Sequence, residues 1–99
     1  MRVETIEWDR FNRAHFAEHG RCREHEVEDI LLARCYPSRA RDQPGAQPRK
    51  RFQGRACNDR YLAVIAAVQA ESRVRPITCW PLEGQHLDNY LAWQRSLPR

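Results

Sequence analysis

The chain reads as an α+β domain, and three observations lead there. A short β-prone segment runs directly into an Asp-capped helical stretch. Three strand-like runs follow in the middle of the chain, divided by tight-turn residues, and the last stretch returns to helical periodicity. With 99 residues and 41% apolar content there is material for one compact core, so a single domain over residues 1–99 is expected.

Residues 3 to 8, Val-Glu-Thr-Ile-Glu-Trp, form the first predicted strand. Asp9 can then accept from the orphan amides of a helix running from about residue 10 to 19, and Gly20 can take the left-handed turn that closes it. On that helix Phe11, Asn12, His15, Phe16 and His19 share one side. A second helix is predicted from about Arg23 to Cys35, with Val27, Ile30, Leu31 and Cys35 as its apolar stripe and Glu24, Glu26, Glu28 and Asp29 favouring its amino end. Residues 36 to 48 carry three prolines and a glycine, which allows loop and at most one short edge strand.

A strand is predicted over residues 49 to 57, and Asn58-Asp59 supplies a turn into a second over residues 60 to 69. That second run is apolar throughout, as a central strand covered on both faces should be; its alanines also suit a helix, but Tyr61, Val64, Ile65 and Val68 favour strand. Arg73 to Trp80 should return antiparallel, with Pro76 at a missing ladder bond. A last helix from about Gly84 to Leu97 places Leu87, Tyr90, Leu91 and Gln94 along one side, with Trp93 and Leu97 adjoining.

Composition narrows the function. The formal charge is +4, concentrated in residues 34 to 60, where eight basic residues face two acids; this suits a polyanionic partner. No segment approaches the roughly 20 apolar residues of a membrane span, and the amino terminus lacks an export signal, so a cytoplasmic protein without membrane contact is expected. Cys22, Cys35, Cys57 and Cys79 contain no Cys-x-x-Cys pair and read as partly buried reduced thiols, two disulfides being the alternative for an exported chain. Phosphate-binding glycine loops, nucleophile elbows and zincin signatures do not occur.

Alternation over residues 49 to 55 puts Arg49, Arg51, Gln53 and Arg55 on one face of a strand. Burying three guanidiniums against an apolar core would leave them uncompensated, so that face belongs to solvent or to an anion. A planar guanidinium holds phosphate by two donors and stays charged at physiological pH. The row therefore reads either as a solvated edge or as a grip on nucleic acid, with Arg39, Arg41 and Arg60 nearby favouring the grip. His15 and His19, one turn apart, suit half-buried structural roles, proton transfer, or a metal site completed by Cys22 and His25. Trp80 can cover the core or stack on a base.

Four ordered motifs carry a family resemblance. Glu7-Trp-Asp-x-x-Asn-x-x-His-x-x-x-His-Gly20, Glu26-Val-Glu-Asp-Ile-Leu-Leu32, Arg49-x-Arg-x-x-Gly-Arg55 and Arg60-Tyr-Leu-x-Val-Ile65 resemble the BrnT-type toxins, RelE-like ribonucleases of type II toxin–antitoxin operons. The likeness spans about residues 6 to 80, departing at Arg21 to His25 and at Ile77-Thr-Cys-Trp-Pro81, where relatives commonly place Ser/Thr-Ala-Arg. It implies a short strand, two helices, an antiparallel sheet and a terminal helix. It also implies mRNA cleavage without metal or cofactor, by attack of a 2′-hydroxyl on its neighbouring phosphate. On matching positions it gives Arg51 and Arg55 to phosphate stabilisation, His15 or His19 to proton transfer, and Arg49, Arg60 and Arg75 to backbone grip. The implied partners are RNA and a cognate antitoxin, in a homodimer or a toxin–antitoxin hetero-oligomer. A toxin-like module that binds nucleic acid or protein without catalysis is the other reading.

Overall fold

In the computed structural model, residues 1–98 are described. The elements follow in the order β1 (Thr5–Ile6), α1 (Arg10–His19), α2 (Glu24–Leu32), β2 (Arg39–Gln43), β3 (Arg49–Arg55), β4 (Tyr61–Ala70), β5 (Arg73–Pro81) and α3 (Gly84–Ser96). The strands form one five-stranded sheet in the order β1-β5-β4-β3-β2. All neighbours are antiparallel except β1, which joins β5 in parallel through Thr5 and Ile6. The α+β class expected from the sequence is thus present, with a mixed rather than purely antiparallel sheet.

The first helix is built as its sequence dictates. Asp9 accepts from the amides of Phe11 and Asn12 at 2.8 and 2.9 Å, and Asn12 reciprocates by accepting from the Asp9 amide at 2.8 Å. Gly20, at φ 62°, ends the helix with its N–H on the Phe16 carbonyl. The same Asn12 donates to the carbonyls of Glu7 and Pro76 at 3.0 and 3.3 Å, fastening α1 to the β1–β5 edge. The second bond gives a donor to a β5 carbonyl two residues beyond Val74, whose own carbonyl takes the Glu7 amide where β1 ends. The expected shared side of α1 is only partly realised, since Asn12 and Phe16 are buried while Phe11 is 68% exposed.

The second helix is shorter than its apolar pattern suggests. It stops at Leu32 because Ala33 turns left-handed, at φ 49°, and the amides of Ala33 and Arg34 close on Ile30 and Asp29. A non-glycine residue in that conformation costs roughly 1 kcal/mol. What it permits is a change of direction that brings Cys35 to within 5.4 Å, Cα to Cα, of Cys57. Cys22 likewise pairs with Cys79, so the expectation of reduced thiols is corrected: both pairs are disulfides and no free cysteine remains. Partners 57 and 22 residues apart are brought together only by the packed sheet and helices.

The helices divide between the two sheet faces. On one, Phe16, Val27, Ile30 and Leu31 pack against Phe52, Leu62, Val64, Ala66 and Val74. Gly54 makes this approach feasible, because a Cβ there would stand 2.8 Å from the Ser38 hydroxyl and 3.1 Å from Ile30. On the other face α3 lays Tyr90, Leu87 and Leu91 over Tyr61, Ala63 and Trp80. Tyr90 is fully buried, and its hydroxyl donates to the Pro37 carbonyl at 2.6 Å. Burial pushes its phenol up to about 12. No helix among the described residues is long and apolar enough to cross a membrane.

Candidate nucleic-acid interface

Register decides which side chains meet. β2 and β3 pair with Arg39 opposite Gln53, Arg41 opposite Arg51 and Gln43 opposite Arg49. All of these project to the α3 face, since the alternate residues Phe52 and Gly54 contact α2 and the core beneath. Four arginines therefore occupy two adjacent strands, about 7 Å apart along each strand and about 5 Å across. Like charges directly opposed across a ladder repel one another, so Arg41 against Arg51 weakens the sheet unless an anion lies between them.

The basic residues singled out from the sequence fall into two groups. Arg55, Arg60 and Arg75 are held by carboxylates within the chain. Arg75 grips Asp9 by two nitrogens at 3.1 and 2.9 Å, and Arg60 reaches both oxygens of Glu26 at 2.8 Å while donating to the Arg21 carbonyl. Arg55 meets Asp59 at 3.1 Å and lies over the rings of Tyr36 and Tyr61, at 4.4 and 5.3 Å from their centroids. Arg55, Arg60 and Arg75, expected to contact phosphate, are thus each engaged by an internal carboxylate while remaining partly exposed.

These pairs leave marks on the acids. Burial alone would raise the Glu26 carboxyl, but donors from Asn58, the Arg23 amide and Arg60 outweigh it and hold the group below the usual carboxylate value. The Asp9 carboxyl is lowered by the Asn12 amide, by Arg75 and by the Phe11 amide.

Arg39, Arg41, Arg49 and Arg51 form no ion pair with a carboxylate among the described residues. Asp42 does not neutralise them, because it faces the opposite side and bonds Lys50 at 2.8 Å. The Nε atoms of Arg49 and Arg51 are buried without a hydrogen-bond partner, so their stems are held by packing while the charge lies at a surface. A cleft of about 510 Å³ opens between this patch and α3, lined by Arg39, Arg41, Arg51, Gln53, His86 and Trp93 among others. From α3, His86, Asn89, Trp93 and Ser96 line it, three or four residues apart, while Leu87, Tyr90 and Leu91 point to the sheet.

The histidine pair is elsewhere. His15 and His19 meet edge to face, ring centroids 4.4 Å apart, on α1, whose Phe16 enters the core on the face opposite the arginines. The structure thus brings Arg49 and Arg51 together with Arg39 and Arg41, and does not bring His15 or His19 to them. No cluster of three metal-ligating side chains occurs among the described residues, and the Cys22 sulfur is engaged with Cys79. Trp80 is half-buried against α3.

Sequence reasoning underweighted two parts of the site. The two-residue spacing of Arg39 and Arg41, matching that of Arg49 and Arg51, was a legible signal once residues 39 to 43 are taken as a strand. The contribution of His86 and Asn89 had no local signal, because it depends on where α3 lies across the sheet. No protein-family model, curated protein or solved structure matches the chain.

Proposed function

We propose that the protein is a toxin of the BrnT type with a RelE-like plan, an mRNA endonuclease that works without metal and is neutralised by a cognate antitoxin in the cytoplasm. The observation that supports it best is the patch of four guanidiniums on one sheet face, unmatched by described carboxylates, with Arg41 directly opposite Arg51. An RNA backbone supplies the missing negative charge, and the same guanidiniums would stabilise the phosphorane formed when a 2′-hydroxyl attacks its phosphate. An acidic or amphipathic antitoxin helix suits the same surface, in a hetero-oligomer or over a toxin homodimer.

A second reading is favoured by one specific observation. His15 and His19 lie across the sheet from the free arginines, which fits a non-catalytic module that retains RNA or an acidic protein. Induced expression in a host lacking the antitoxin separates the two. Growth arrest with transcript cleavage, both abolished by Arg41→Ala plus Arg51→Ala, supports the nuclease. Retention of RNA by purified protein without cleavage supports the module, and neither arrest nor retention overturns both.

A further inference from the structure

The buried residue that no internal contact explains is Gln53. It is only 5% exposed as a residue and lines the cleft beneath α3, and no hydrogen bond joins its side-chain amide to another described residue; unlike the Nε atoms of Arg49, Arg51 and Arg55, that amide is not sealed away from the cleft. An amide held in place by a buried stem and left unoccupied by the fold keeps its donor and acceptor available to a ligand that enters the cleft. Its cross-strand neighbours are Arg39 on β2 and Ala63 on β4, neither of which offers a side-chain acceptor. Across the cleft Asn89 presents a second amide, which the i,i+4 partner Gln85 engages from outside at 2.9 Å.

The geometry points to a pocket for one unstacked nucleotide of single-stranded RNA, with its phosphate between Arg41 and Arg51 and its base edge read by Gln53. This rests on the proposed RNA-directed reading and adds a substrate form and a specificity-determining residue. An amide offers a donor and an acceptor side by side, the pattern that base edges complement. A cleft of about 510 Å³ falls within the roughly 300–1,000 Å³ of small-molecule pockets, room for a nucleotide. Trp93 and His86 supply flat rings along its α3 wall. A paired base inside a duplex keeps its edge occupied and its faces stacked, and cannot enter.

The test measures binding of fluorescently labelled homopolymeric RNA oligonucleotides of A, C, U and G, and of a short RNA duplex, to the full chain. One base should be preferred over the others and the duplex should bind weakly. Gln53→Met, similar in volume and free of unpaired polar atoms, should preserve folding and reduce the preference by about tenfold while leaving the salt-dependent affinity for all four oligonucleotides. Asn89→Ala, at an exposed position, provides a folding-neutral check and should narrow the preference less. Unchanged preference in Gln53→Met, equal affinity for the four oligonucleotides, or duplex bound as tightly as single strand would overturn the nucleotide pocket while leaving the arginine grip intact. Absence of RNA binding by the unaltered protein would remove the functional reading itself.

Discussion

On the sheet face beneath α1 and α2, the buried acids are matched, Glu26 by Arg60 and Asn58, and Asp29 by Arg34 and the Cys57 amide. On the face beneath α3, Arg39, Arg41, Arg49 and Arg51 stand without such partners, and Arg41 faces Arg51 directly. The chain evidently can neutralise a guanidinium when packing requires it. The difference teaches that arginine count does not measure a binding surface; what counts is which guanidiniums the fold leaves uncommitted. The matched pairs of the first face should therefore carry stability, and the arginine patch of the second little of it.

The largest expected effect tests the first face through its cross-link. Cys22→Ala with Cys79→Ala should lower the unfolding free energy under oxidising conditions by about 4 kcal/mol, and removal of the Cys35–Cys57 bridge by about 3, the shorter loop constraining the unfolded chain less. Urea unfolding measures both. Two bridges are at home in oxidising compartments. Thiol titration of protein taken unreduced from its host cytoplasm should find no free thiol if they form there, and four thiols would place the protein in its reduced form.

Next in size is the buried pair. Arg60→Ala leaves the Glu26 carboxylate, 1% exposed, with fewer donors and should cost about 2 kcal/mol at neutral pH, below the figure for a sealed pair because Arg60 is itself partly solvated. The sign with pH follows from the depressed Glu26 value. Its contribution is present above the unfolded carboxyl's 4.5 and is lost as pH falls through the lower folded value. The gap between the parent protein and Arg60→Ala should therefore close on acidification below 4.5, and a gap that widens there would contradict the pairing.

Smaller still is Tyr90→Phe, which removes the bond to the Pro37 carbonyl and should cost about 1 kcal/mol. A phenol raised to about 12 adds stability below its ordinary value of 10, and that stability is lost as pH rises toward 12. Ultraviolet titration should accordingly show one tyrosine ionising late, or only with alkaline unfolding.

The smallest effect on stability belongs to the open face. Arg41→Ala with Arg51→Ala should shift unfolding by no more than about 0.5 kcal/mol, and toward greater stability if repulsion dominates. The same pair of substitutions should weaken RNA retention strongly and reduce its dependence on salt, as removal of phosphate contacts requires. A large loss of stability instead would mean that these arginines belong to the fold.

Much of this architecture is local and therefore legible. Asp9, Asn12 and Gly20 specify α1 through bonds made within a dozen residues, and in the run from Tyr61 to Val68 the β-branched and aromatic residues favour a covered strand over the helix that its alanines would also suit. The early end of α2 was not legible, because nothing at Ala33 competes locally with an apolar stripe that continues to Cys35. Alternation in β3 placed its arginines on one face, but the residues they meet depend on the register with β2 and on the crossing of α3.

By itself the sequence determined both caps of α1, the central strand, the domain's α+β class and the basic character of its middle third, all consequences of composition, spacing and short-range hydrogen bonding. Only the tertiary structure decided which arginines are consumed by Asp9, Glu26 and Asp59, that all four cysteines pair, and that His15 and His19 stand apart from the arginine patch. Those outcomes join residues distant along the chain, and the packing of helices onto a sheet, rather than any local preference, sets their distances.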